Sequence, residues 1–244
     1  MAEVIAPSYN PFEPGYAEDP YPTYGRMRAT EPVHQSPFGF WMLFSYDDCA
    51  RFLRDPSLSV EDVNMTTDTP LRRLVREMRG DEEERGRYSM LRRDPPDHTR
   101  LRKLVTKAFT PRVVEGLRPR IEQIVASLLD AARDKDDVDL IADFAFPLPF
   151  AVISEMLGIP EADGLQLRAW SGQLVRSLEP MVADPEVLAR MEEASNAMAS
   201  FLTDMISWKR AHPADDLLTA LIAAEENGDV LSEDELLEQV MLLY

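Results

Sequence analysis

The chain has 244 residues, 45% of them hydrophobic and 29% charged, and its 26 Lys+Arg against 44 Asp+Glu give a formal net charge of −18 at pH 7. That composition belongs to a folded globular chain, and the acid excess argues against nucleic acid as a partner, because phosphates are met by basic surfaces. A single cysteine leaves no internal disulfide, the N-terminus has neither a basic start nor a sustained apolar run, and no stretch reaches the ~20 apolar residues of a spanning helix; a cytoplasmic protein with no membrane anchor is expected.

Residues 1–22 hold Pro7, Pro11, Pro14, Pro20 and Pro22 among aromatic and acidic residues, which predicts an extended arm. A short helix follows at about 21–29. Val33 to Pro37 and Phe40 to Ser45, separated by Phe38-Gly39, predict a hairpin, and Pro56 closes a helix over 46–54. From Leu58 to Tyr88 the pattern weakens into a long loop with one short helix near Leu71 to Met78; loops of this length commonly cover a binding site. Beyond Pro96 the chain is helical at about 97–109, 118–133, 149–157, 162–178, 185–211, 215–226 and 232–244, broken at Gly158-Ile159-Pro160 and Asn227-Gly228-Asp229. Val138-Asp139-Leu140 predicts one more short strand. The fold class is mainly α with a small N-terminal β-sheet.

The last helix opens on a capping box, Ser232 with Glu235. Leu236, Leu237, Val240, Met241 and Leu243 then place apolar residues around much of its circumference, as in a central buried helix. Tyr244 follows with no Gly, Asn or basic residue to stop it, so the helix is expected to continue past this sequence.

Several chemistries lack their residues. His34, His98 and His212 lie far apart with no Cys pair, which gives no zinc pattern. The ten glycines form neither a dinucleotide fingerprint nor a Walker loop, and no Gly-x-Ser-x-Gly elbow occurs. Charge, by contrast, is concentrated. Residues 85–120 hold eleven Lys+Arg and three acids, a local charge of +8 in a chain whose remainder is −26. A basic island of this kind suits an anionic ligand or an acidic partner.

On a helical wheel of Asp97 to Phe109, Leu101, Leu104, Val105, Ala108 and Phe109 share one face, and Arg100, Lys103 and Lys107 fall on the opposite side. His98 and Arg102, four residues apart, stack along the edge of the apolar face. Directed inward, they need a buried or half-buried acceptor, and a ligand carboxylate suits both donors. On spacing alone a structural ion pair for Arg102 stays open, and such pairs outnumber ligand clamps.

Asp94-Pro95-Pro96-Asp97-His98-Thr99-Arg100-Leu101-Arg102 resembles the start of the C helix of bacterial soluble cytochromes P-450, the haem-thiolate monooxygenases. Further matches run in order: Asp19-Pro20-Tyr21-Pro22, Trp41 to Asp48, Phe109-Thr110-Pro111-Arg112, Pro147-Leu148-Pro149, Val152 to Pro160, and Asp215-Asp216-Leu217-Leu218. The resemblance implies that His98 and Arg102 hold a propionate of haem b. It makes Met90, Leu91, Leu174 and Leu178 candidates for a substrate pocket, and Arg100, Lys103 and Lys107 a face for a ferredoxin-type redox partner. The implied reaction is insertion of one oxygen atom from O2 into a small organic substrate.

The family's oxygen-activating stretch, its Glu-x-x-Arg helix and its haem-ligating Cys loop have no counterpart here; Glu82-Glu83-Glu84-Arg85 sits in a charged loop and Cys49 follows no such loop. The resemblance therefore implies the N-terminal part of one domain, cut at the start of the central I helix and inactive alone. Its parts are the arm, first helix, small sheet and next helix at 1–60, a loop at 61–96, helices at 97–231 and the start of the I helix at 232–244. The alternative is a complete, non-catalytic acidic helical binding module, which the missing motifs favour and the unterminated last helix opposes.

Overall fold

Pro20 and Pro22 suit the first turn of a helix, where a missing N–H costs nothing, and α1 (Tyr21–Thr30) begins there. The computed structural model describes residues 9–10, 14–16, 18–36, 39–64, 73, 88–178, 185–226 and 228–244. The chain divides into two units, Met1–Glu83 and Glu84–Tyr244. The helix expected at 71–78, apart from Arg73, and Glu82 to Arg85 lie outside the described residues.

In the first unit, Met27 of α1 is fully buried. The arm is tied down by tyrosines: the hydroxyls of Tyr9 and Tyr16 are 2.8 Å apart and those of Tyr16 and Tyr24 are 3.0 Å apart. Phe44 packs on the rings of both Tyr9 and Tyr24. The expected hairpin forms with shorter strands, β1 (Val33–Gln35) and β2 (Trp41–Leu43), paired antiparallel with His34 opposite Met42. Ser45 accepts the Asp48 N–H and caps α2 (Tyr46–Phe52).

The second unit is helical. It runs from a 3-10 turn (Met90–Arg92) through α3 (Asp97–Ala108), α4 (Pro111–Gly116), α5 (Arg118–Arg133), a π turn (Ile141–Ala145), α6 (Pro147–Leu157) and α7 (Glu161–Leu174) with a 3-10 extension (Val175–Leu178). It continues with α8 (Pro185–Ala211), α9 (Leu217–Ile222), a hairpin of β3 (Glu225–Glu226) and β4 (Asp229–Val230), and α10 (Glu233–Leu243). Leu101, Leu104, Leu157, Leu167, Met198, Leu202, Leu217, Leu218, Leu221, Leu236 and Val240 form one core across α3, α6, α7, α8, α9 and α10. Truncating any of these leucines to Ala costs about 2–5 kcal/mol.

Two expectations are corrected. Val138 to Leu140 is not a strand: the Asp139 carboxylate accepts the N–H groups of Ile141 and Ala142 at 2.9 Å each, so capping of the next turn overrides strand preference. The helix expected over 215–226 is confined to Leu217–Ile222. Asp216 starts it by accepting the Thr219 N–H at 2.8 Å, and Gly228, with φ 82°, turns the β3–β4 hairpin that takes the following residues. Positive φ of that kind is what a tight hairpin turn requires.

A buried ion pair joins two helices beside the end of a third. Lys209 near the end of α8 contacts Asp216 at the start of α9, with side-chain exposures of 4% and 8%. Gly158, left-handed at φ 63°, ends α6, and the Ile159 N–H returns to the Ser154 carbonyl at 2.9 Å. A Cβ on Gly158 would fall inside van der Waals distance of Lys209 Nζ and Asp216 Oδ2. Only glycine gives both the backbone conformation and the room.

Candidate functional site

α3 carries the site. Asp97 in its first turn and Lys107 in its last match the helix dipole, and Leu101, Leu104, Val105 and Ala108 form its buried stripe. α9 packs directly on it. The polar residues along the two edges of that stripe meet different surroundings.

On one edge, Arg100 reaches Glu235 of α10 in a close ion pair and Asp229 of β4 at 3.4 Å. Arg100 is 32% exposed and Glu235 13%. Glu235 also closes the capping box, accepting the Ser232 N–H at 2.9 Å. Burial pushes the Glu235 carboxyl up, but the Ser232 N–H and the Arg100 guanidinium outweigh it and hold the group below the ordinary glutamate range.

This corrects the expected outward stripe of Arg100, Lys103 and Lys107. Lys103 and Lys107 are exposed, whereas Arg100 turns along the opposite edge of the apolar face and joins α3, β4 and α10. The wheel places Arg100 beside Leu104 as readily as beside Lys107, and the acids that decide between them are 129 and 135 residues away in sequence.

On the other edge, His98 is half-buried and Arg102 exposed. Thr106 Oγ1 donates to the Arg102 main-chain carbonyl at 2.6 Å, and the His98 N–H donates to the Asp94 carbonyl at 3.0 Å. Neither the His98 ring nor the Arg102 guanidinium has a hydrogen-bond or ion-pair partner among the described residues. The structure thus puts the two donors one turn apart on one edge, and no carboxylate among the described residues pairs with Arg102.

Of the expected pocket residues, Met90 and Leu174 both pack against the central core, while Leu91 is 60% exposed. The Leu178 side chain lies outside what the structure describes. Cys49 donates its thiol to the Leu43 carbonyl at 3.4 Å, linking α2 to β2. Gln239 was not anticipated: it is 1% exposed on α10, donates to the carbonyls of Tyr88 and Glu235 at 2.8 and 3.0 Å, and accepts the Met90 N–H at 3.2 Å. One signal was present, since Gln239 lies three residues after Leu236 and so on the buried face of α10, beside Leu236 and Val240.

No protein-family model matches the sequence. It is 45% identical over 242 residues to cytochrome P450 107B1 of Saccharopolyspora erythraea, an alignment covering 95% of this chain and 56% of that protein. It is 40% identical over 235 residues to cytochrome P450 monooxygenase PikC of Streptomyces venezuelae, covering 93% and 52%. The fold matches the crystal structure of myxobacterial cytochrome P450 CYP267B1 in complex with myristic acid with a TM-score of 0.79 at 38% identity, covering 96% of this chain and 57% of that one. The chain spans about half the length of these relatives. It belongs with the bacterial cytochromes P450, and corresponds to the N-terminal part of their sequence and fold.

That family implies haem, and α3 offers groups that fit it. Haem presents two propionates, and a carboxylate is the acceptor that a guanidinium and an imidazole on adjacent turns complement. Arg102 supplies a permanently charged fork and His98 a ring N–H. Among the described residues no cluster of His, Cys, Asp or Glu could hold a metal ion.

Proposed function

We propose that this chain anchors the propionates and lines part of the pocket of a haem-dependent monooxygenase, which inserts one oxygen atom from O2 into a small organic substrate with electrons from a ferredoxin-type redox partner. Bound haem b, ligated by a thiolate, supplies the oxygen chemistry in such an enzyme. Cys49 is not that thiolate on this reading, because it follows none of the family's haem-ligating loop and packs between α2 and β2; the 244 residues alone are expected to be inactive. The observation that carries the proposal is the pair of donors, His98 half-buried and Arg102 exposed, that have no partner among the described residues, on a helix whose Arg100 is engaged by Glu235 and Asp229.

Arg102 binds and orients a propionate through its fork, and His98 adds one hydrogen bond from the preceding turn. Met90 and Leu174, packed on the core, supply apolar walls that exclude water, with Leu91 and Leu178 as further pocket residues. Lys103 and Lys107, exposed on the far side of α3, present positive charge to an acidic redox partner; Arg100 is withdrawn from that face.

Arg102→Leu in the haem-loaded protein tests the assignment. It leaves an anionic propionate without its charged donor, a loss of about 1.5–3 kcal/mol of hydrogen-bond energy, and haem occupancy should fall at least tenfold in competition with apomyoglobin. His98→Ala should act in the same direction and more weakly. Full haem occupancy in Arg102→Leu, together with a lowered thermal midpoint, would instead mark Arg102 as a structural residue and end the assignment.

A further inference from the structure

The segment that enters α3 contains Met90, a residue of the proposed pocket wall, and its main chain is held by one side chain from far along the sequence. Gln239 of α10 donates Nε2–H to the Tyr88 carbonyl at 2.8 Å and accepts the Met90 N–H on Oε1 at 3.2 Å. The carbonyl of residue i and the N–H of residue i+2 are what a single residue of a neighbouring parallel β-strand engages through its own N–H and C=O, and a primary amide offers the same donor and acceptor on one edge. Gln239 acts as a one-residue strand against the 88–90 main chain.

The amide is almost fully used. Its second Nε2–H goes to the Glu235 carbonyl one turn back in its own helix, at 3.0 Å, so the side chain is held from both ends while 1% exposed. Ser89, between the two bonded positions, is itself buried and its hydroxyl accepts the Leu91 N–H at 3.4 Å, starting the 3-10 turn. The place of the Met90 side chain is therefore fixed relative to α10 by backbone bonds, independently of the fit of the methionine itself. That independence matters because Met is flexible and a poor self-positioner.

We infer that Gln239 is a positioning residue for the substrate pocket: its amide sets where Met90 and the turn after it stand, and hence which ligand shapes the pocket accepts. The inference rests on the pocket reading above. A neutral donor-acceptor group is needed, and near-isosteric replacements fail in defined ways. Glu keeps the acceptor for Met90 but repels the carbonyls of Tyr88 and Glu235; Met fills the volume and takes the amide away from Tyr88 O and the Met90 N–H.

Hydrogen exchange on Gln239→Met and Gln239→Glu gives the first arm. The Met90 and Leu91 amides should exchange at least tenfold faster in Gln239→Met, with the α3 amides of Leu104 and Val105 within twofold of the parent. Unchanged exchange at Met90 in both variants overturns the clasp, and an equal rise across α3 marks Gln239 as a general core residue and overturns it too. The second arm uses two azoles on the haem-loaded protein: imidazole, which needs little pocket, and 4-phenylimidazole, which needs the wall. The ratio of their affinities should shift at least fivefold against 4-phenylimidazole, with imidazole itself within twofold. Faster exchange at Met90 with an unmoved ratio removes the positioning role. Failure of the parent protein to take up haem removes the reading of the preceding section and the pocket role with it, while the exchange arm still judges the clasp.

Discussion

Exchanging Lys209 for Met removes the cation from a pair whose side chains are 4% and 8% exposed. Asp216 then keeps a buried charge whose remaining described bond is to the Thr219 N–H at 2.8 Å. Breaking a buried pair from one side costs about 3–5 kcal/mol, because the surviving charge has lost its partner but not its desolvation. Asp216→Asn keeps the helix cap, since Asn caps as well as Asp, and strands the Lys209 ammonium for a cost in the same range. The double variant removes both charges, so its loss should fall short of the sum of the single losses by at least ~2 kcal/mol, measured by urea unfolding of all four proteins. The effect should reach the site helix, because α9, which Asp216 starts, packs on α3. Additivity within about 0.5 kcal/mol would refute the reasoning, since it would mean the two groups do not sense each other.

Gly158→Ala should destabilise by about 3 kcal/mol or more in the same assay, since its Cβ must both adopt φ 63° and displace the buried pair; a loss under ~1 kcal/mol would show that the pair yields easily. For Glu235, whose folded-state pKa is depressed, the stabilisation is fully present above the ordinary glutamate pKa of 4.5 and is lost as pH falls through the lower folded value. Arg100→Met should weaken that acid dependence, read as the difference in urea midpoint between pH 6 and pH 3. Tyr244, whose hydroxyl donates to Ser154 Oγ at 3.1 Å, is pushed by burial from 10.0 up to about 12. Its contribution is present below pH 10 and lost as pH rises to about 12, so the stability advantage over Tyr244→Phe should vanish across that window, with phenolate absorbance at the same pH confirming the residue.

How much of this was legible depended on the distance over which the deciding contact acts. The helices expected at 118–133 and 185–211 occur over those residues, because their apolar period and first-turn prolines are local. α3 ends at Ala108 against an expected 109. Val138 to Leu140 failed for an equally local reason, a β-branched residue read as a strand where the next residue, Asp139, caps a turn. His98 and Arg102 could be found as neighbours because four residues is one helical turn. The partners of Arg100, Gln239 and Lys209 could not be assigned by spacing. The first two contact residues more than 120 positions away, and the Lys209–Asp216 pair, seven apart, crosses a helix break that the sequence does not orient.

Arg100 and Arg102 show what the fold adds to the wheel. They stand two residues apart, on opposite edges of the stripe formed by Leu101, Leu104, Val105 and Ala108, and both hold the same charge on the same stem. Arg100 faces the α10 and β4 side, where Glu235 and Asp229 neutralise it, so its charge is spent on holding the hairpin and the last helix to α3. Arg102 faces the edge shared with His98, where no acid among the described residues pairs with it. A cation maintained beside a half-buried histidine without a carboxylate is of little use to folding, since a solvated arginine adds almost nothing to stability. It is of use to a ligand that brings the carboxylate with it. On the proposed reading, Arg100 is a scaffold charge and Arg102 a binding charge, and the difference follows from which edge of the apolar stripe each residue occupies.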